Sequence, residues 1–292
     1  MSKLPRRFYE SVRVVTKNLL TKDDKSKWTP SVAFELGERI EDGSICPSSQ
    51  CYGIELDNRP LRTQAGRHFT LYSLPLALAI AQEWRTQREV INLARMRLTG
   101  LAFTAVDNPL DATKSSLTNK IFEYLETDTL LYFANRDDTG GERLLELQQT
   151  QWAPVIRWVN KRLDVSLLAT QHITDAPSIS DESRRRLERY LLSHNFASLT
   201  GLLYGVESVK SLLITMAVVG RCLNVEDAVG LARLEQSFQT DTWGNVEWCH
   251  DVEKLELTSR LAAGVLFANL CSNVYEPDLT RADEKMEAAN AA

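Results

Sequence analysis

The sequence predicts an α+β protein, with a small N-terminal strand-rich α+β domain followed by a mostly α-helical C-terminal domain. Three observations carry this. Apolar and polar residues alternate over residues 8–15 and again at Tyr52, Ile54 and Leu56, which is the period of a half-buried strand. From Pro75 the period becomes helical, with Leu76, Ile80 and Trp84 recurring every fourth residue. Helical spacing then dominates to about Cys271. A chain of 292 residues can bury a real core, and 43% apolar with 25% charged residues excludes wholesale disorder. The expected division is an N-terminal domain over 1–112, a helical domain over 113–275, and a polar, alanine-rich tail over 276–292 expected to be disordered.

The elements follow in order. Phe8, Val12 and Val14 mark the first strand. Residues 19–50 are rich in Lys, Asp, Ser and Gly, show little periodicity, and read as a long loop or insertion. Asp57-Asn58 tolerates the positive φ angles of a tight hairpin, so Leu61 and Thr63 should lie on a return strand, and Phe69 and Leu71 on a third. Pro60 must sit where no ladder N–H is needed. Ser73 caps a helix with Pro75 in its first turn, and Trp84 on its apolar stripe belongs to the core. A helix over 99–106 stops at Asp107-Asn108-Pro109. Residues 116–126 read as a helix, 129–133 as a strand returning to the first domain, and Gly140-Gly141 as a loop. Pro154 opens a helix whose Val155, Trp158, Val159 and Leu163 share a face. Ser180 caps the next, with Leu187 and Leu191 inward and Arg184, Arg185 and Arg186 in solvent. Residues 196–220 read as one apolar helix. Asn224 and Asp227 form a capping box for a helix through Leu231, Leu234 and Phe238. Gly244 ends it, Asn245 can recap, and a last long helix runs to about Cys271.

Composition narrows the function. A net charge of −5 and a pI near 5.6 argue against nucleic-acid binding, which needs a basic face. The longest strongly apolar run, 211–220, is far short of the roughly 20 residues of a membrane helix, so no membrane insertion is expected. The N-terminus shows neither a signal-peptide core nor a clear import leader. Five cysteines, an odd number without a dense framework, fit a reducing compartment, and Cys46 and Cys51 have no second pair to make a zinc site. Phosphate-loop, dinucleotide, elbow-serine and H-E-x-x-H signatures are absent, so no catalytic residue and no cofactor is expected. The best metal candidate is Glu247, Cys249, His250 and Asp251. Neighbours on a helix point about 100° apart, so Cys249 and His250 cannot face one ion, although Glu247 shares a face with His250 or Asp251. No metal site is assigned. A small metal-dependent hydrolase using Glu247, His250 and Asp251 is the alternative to a non-enzymatic protein.

Residues 231–251 ask for an explanation of their own. They place Trp243 and Trp248 and several carboxylates around a helix break. The stripe of Val225, Ala228 and Ala232 continues onto Glu235 and Gln239, and a carboxylate facing inward must find a partner or cost several kcal/mol. In one reading Glu235 is held by an Arg or backbone donors of its own domain and both tryptophans are core. In the other, Glu235, Gln239, Trp243, Glu247, Trp248, His250 and Asp251 line a cleft and meet a partner, as tryptophans and charged anchors do at interface hot spots.

Several stretches carry a family likeness. Arg7-Phe8-Tyr9-Glu10-Ser11-Val12, Asp57-Asn58-Arg59-Pro60-Leu61-Arg62-Thr63, Leu78-Ala79-Ile80-Ala81-Gln82-Glu83-Trp84, residues 96–107, residues 126–129, Trp152-Ala153-Pro154 and residues 234–251 occur in that order. Together they resemble the mitochondrial ATP synthase F(1) complex assembly factor 2 family, the assembly chaperones of the ATP synthase α subunit. Gln64 and Ala153 depart from the family's pattern, and residues 19–50 form a longer insertion than it has. The resemblance implies an α+β domain followed by a helical one, no enzymatic activity, no cofactor, residence in the mitochondrial matrix, and a monomer's transient hold on the α subunit until the β subunit arrives. It places functional weight on acidic positions that map by motif onto Glu235 and Glu247.

Overall fold

The structure, a computed structural model, describes residues 5–18, 50–137, 140–171, 176–244 and 248–272. The loop expected over 19–49, the recapping Asn245 and the tail over 276–292 lie outside the described residues. Strand β1 (Val12–Asn18) pairs antiparallel with β2 (Gln50–Leu56), Val12 opposite Leu56, and β2 pairs with the two-residue edge strand β3 (Arg59–Pro60). Asp57 and Asn58 make the turn at φ 49° and 64°, as their side chains allow. Asp57 also clamps the chain entering β1. Its carboxylate accepts from Ser11 N (2.7 Å) and Glu10 N (2.9 Å), and these bonds hold its pKa below the ordinary value.

Two strand expectations are corrected. The first strand begins at Val12: Phe8 is 69% exposed, and the buried ring is Tyr9, whose hydroxyl donates to Trp84 O at 2.7 Å. No third strand forms through Phe69 and Leu71. Both are buried, but pairing stops at isolated bridges between Tyr52 and Leu71 and between Arg62 and His68.

Helix α1 (Leu74–Thr86) starts at Ser73, whose hydroxyl accepts from Leu76 N, and buries Leu76, Ile80 and Trp84. Helix α2 (Arg97–Asp107) ends at Asn108 with φ 40° and has no side-chain cap of its own. Glu83 on α1 caps it instead, accepting from Leu98 N (2.9 Å), Thr99 N (2.8 Å) and Thr99 Oγ1 (2.7 Å). The sheet, α1 and α2 enclose one hydrophobic core.

Helix α3 (Lys114–Glu126) opens on a Thr113–Ser116 capping box. The strand expected over 129–133 is instead a 3-10 turn, Thr129–Leu131, started by Asp128. Leu130 and Leu131 are fully buried in the helical core, and the strand-like pairing is a single bridge, Tyr132 to Thr170. Gly140, at φ 78°, leads directly into α4 (Gly141–Gln151), a helix that the glycine pair concealed in the sequence. Helices α5 (Ala153–Leu163) and α6 (Asp181–Ser193) begin as expected, with Pro154 in a first turn and Ser180 as a cap.

Both long helices expected next are broken. The apolar run divides into α7 (Phe196–Val209) and α8 (Leu212–Val219) at Lys210, which has φ 56°. The break is fixed from elsewhere in the chain. Ser211 Oγ donates to Asp128 Oδ1 (2.7 Å), and Asp128 Oδ2 accepts from Leu213 N (3.0 Å). The following run divides into α9 (Val225–Ala232), capped by Asn224, and α10 (Leu234–Trp243). Here the indole of the fully buried Trp152 donates to Leu231 O at 3.0 Å, taking the carbonyl that a continuous helix would have used.

Helix α11 (Cys249–Ser272) closes the fold against α7. The two backbones touch: a Cβ on Gly264 would lie 2.8 Å from Gly201 O and 2.9 Å from Gly205 N, so glycine is required at the crossing. A second core spans α3 to α11, while Ala197 of α7 and Phe267 and Cys271 of α11 complete the first. Among the described residues no helix is long and apolar enough to cross a membrane.

Candidate functional site

Helix α10 lies beside the first turns of α11. Arg233 Nε donates to Gln236 Oε1 (2.8 Å), and both Arg233 (3.3 Å) and Gln236 Nε2 (3.0 Å) reach Glu253. Further along, Thr240 Oγ1 stands 3.4 Å from His250 Nδ1. His250 is therefore turned toward α10, whereas Asp251 is exposed. Glu247 and the Trp243 side chain lie outside the described residues. Among the described residues no three His, Cys, Asp or Glu side chains are grouped to hold a metal ion.

Glu235 faces another way, toward α4. Its Oε1 accepts from Gln148 Nε2 at 2.8 Å, and Gln148 is itself fully buried with Oε1 accepting from Ala134 N at 2.7 Å. The internal partner is thus a neutral amide, not the Arg or backbone donor weighed from the sequence. Burial raises the Glu235 pKa, and the Gln148 bond lowers it in part. The residue sits half-buried with no cation beside it among the described residues. Gln239, one turn on, is exposed, so the inward stripe that begins at Ala228 does not survive the break at Arg233.

Trp248 is not core: it is 78% exposed, at φ 68°, just ahead of α11. Sequence reasoning missed its neighbours. Val252 (62% exposed) and Leu255 (70%) continue from it at four- and three-residue spacing, and Leu266 (46%) lies eleven residues further on the same face, opposite the buried Leu261, Gly264 and Ala268. Asp251, Lys254 and Glu256 flank this outward apolar line. The signal was present in the spacing, but α11 is apolar on two faces and sequence alone does not say which is covered. An aromatic-led apolar stripe with charged flanks has the make-up of a protein-binding surface.

The comparisons with known proteins agree with a binding role. The family model described as ATP12 chaperone protein matches residues 38–160. The chain is 27% identical over 233 residues to the mitochondrial protein atp12 of Schizosaccharomyces pombe, across 76% of this chain and 79% of that one. It superposes on the crystal structure of Atp12 from Paracoccus denitrificans with a TM-score of 0.72 and 25% identity, covering 91% of this chain and 98% of that one. This chain is similar to the ATP12 chaperone proteins. The mitochondrial ATP12 of Saccharomyces cerevisiae is 23% identical over 290 residues, across 86% of each chain. The sheet-then-helices order is thus shared with the Paracoccus denitrificans Atp12 structure. Within it, Glu235 and the Trp248 stripe are features of this chain's own geometry.

Proposed function

We propose that this protein is a chaperone of ATP synthase assembly that transiently binds the unassembled α subunit in the mitochondrial matrix. It acts as a monomer and yields its client to the β subunit. The observation that carries this reading is the outward stripe of Trp248, Val252, Leu255 and Leu266, which has no internal function in the fold. An unassembled subunit exposes the apolar surface that later pairs with its neighbour, and such a surface aggregates. A reversible partner lowers the sticky population by mass action, without nucleotide hydrolysis. The β subunit releases the client by competing for the same surface with a larger interface. Similarity to the ATP12 chaperone proteins, the named mitochondrial relatives and the lack of any phosphate-loop sequence support this reading. Glu235, on the side of α10 that faces α4, supplies a second, separate contact: a half-buried carboxylate able to accept a charge-assisted bond of about 1.5–3 kcal/mol.

Co-purification with isolated α subunit tests the proposal. The wild-type chain is expected to retain α and to lose it when β is added. Trp248→Ser combined with Leu255→Ser is expected to cut retention at least about tenfold, the effect of losing hot-spot residues, with an unchanged melting temperature. Glu235→Gln keeps an acceptor for Gln148 and so preserves the fold, yet should weaken retention. Retention unaffected by all three changes would exclude this surface.

A further inference from the structure

A cleft of about 650 Å³ opens between the end of α7, Tyr124 of α3, the α9–α10 break and α11. Three cations reach it: Lys210, Arg233 and Arg260. Arg233 is matched by Glu253 at 3.3 Å, and its side chain is only 12% exposed. Lys210 and Arg260 have no carboxylate within ion-pair distance among the described residues. Each stands over an aromatic ring instead, Lys210 Nζ 5.4 Å from Tyr124 and the Arg260 guanidinium 5.2 Å from Tyr204. Arg260 Nε is buried and donates to nothing among the described residues, an arrangement that costs free energy until an acceptor arrives. With Glu253 taken by Arg233, Glu207 is left facing two cations. The cleft therefore carries a positive balance on a chain whose net charge is −5.

We propose that this cleft receives an acidic segment of the client, with Arg260 and Lys210 binding its carboxylate; this rests on the client-holding function above. The volume leaves room for a segment. About 300–1,000 Å³ is the range of pockets that enclose drug-sized ligands, and it far exceeds what a phosphate fills. Tyr124, Val209, Ala232 and Leu257 offer apolar wall to the residues beside the carboxylate. The Tyr204 ring beneath the guanidinium limits its freedom before binding.

The test is a calorimetric titration of the full chain with the peptide acetyl-Leu-Glu-Glu-Leu-amide and with its Gln-Gln counterpart. The acidic peptide is expected to bind at least about tenfold more tightly, with affinity falling as salt is raised. Lys210→Asn removes the charge with a residue that tolerates its φ of 56°, and Arg260→Gln removes the unpaired donor. Each should weaken the acidic peptide about three- to tenfold and leave the Gln peptide unchanged. If Arg260→Gln melts early, Lys210→Asn decides by itself. Equal binding of the two peptides, or no loss in Lys210→Asn, overturns the proposal. So does full displacement of the peptide by inorganic phosphate, which would make the cleft a small-anion site. Capture of α subunit measured in parallel separates the two ideas. Capture without peptide binding overturns the cleft assignment and spares the client. Peptide binding without capture supports the cleft's chemistry and overturns the client.

Discussion

Asp128 is wholly enclosed, and the bonds it accepts from Leu213 N, Ser211 Oγ and Leu130 N do not offset its loss of water. Burial raises its pKa from 3.8 to about 6. Over that interval the native chain holds a proton that the unfolded chain has released. The stability this group contributes is complete below pH 3.8 and lost as pH rises through about 6. His194, packed edge-on to Tyr190, runs the other way. Burial first, and Lys114 second, lower its pKa from 6.5 to about 4. Its contribution is present above pH 6.5 and lost as pH falls through about 4. Each shift is worth on the order of 3 kcal/mol, so the two nearly cancel in the wild type. Urea unfolding at pH 4 and pH 6.5 checks this. Relative to wild type, His194→Gln should lose about 3 kcal/mol on going from pH 4 to 6.5, and Asp128→Asn should gain as much. Parallel pH profiles in all three proteins would show that neither group is linked to folding.

The breaks and crossings of the helices depend on contacts between residues far apart in the chain. Trp152→Phe keeps the aromatic bulk but leaves Leu231 O without its donor, for an expected cost of about 1–3 kcal/mol. Gly264→Ala puts a methyl group against backbone of α7, where the neighbour cannot yield as a side chain would. Overpacking of about 1–3 kcal/mol and a clearly lower melting temperature are expected. Gly230→Ala, where nothing lies within 4 Å of the added carbon, is the control and should be neutral or stabilising. These elements also mark how far the sequence could be read. Ser73, Pro75, Pro154, Ser180 and Asn224 act within a turn of themselves, and each announced its helix correctly. The breaks at Lys210 and Arg233 were hidden because Asp128 and Trp152, some eighty residues away, supply the replacing hydrogen bonds. Glu83 capping α2 is the same kind of long-range substitution.

At the scale of the molecule, two cores share the α7–α11 pair, which leaves Trp248, Val252 and Leu255, and further along Leu266, exposed on the outer side of α11. Sequence reasoning singled out the stretch that holds both Glu235 and Trp248. It merged the two helices and so placed Glu235 and Gln239 on one inward stripe. Exposure of Val252 and Leu255 is a property of the packed chain: only the close glycine crossing decides which apolar face of α11 turns inward. The central claim is that this uncovered face shields a partner's apolar surface without chemistry. Light scattering from isolated α subunit, held at a temperature where it aggregates, tests it most directly. Equimolar wild-type chain should suppress the scattering, and the Trp248→Ser, Leu255→Ser chain, equally folded, should not. Equal suppression by both chains, or none by the wild type, would contradict the account.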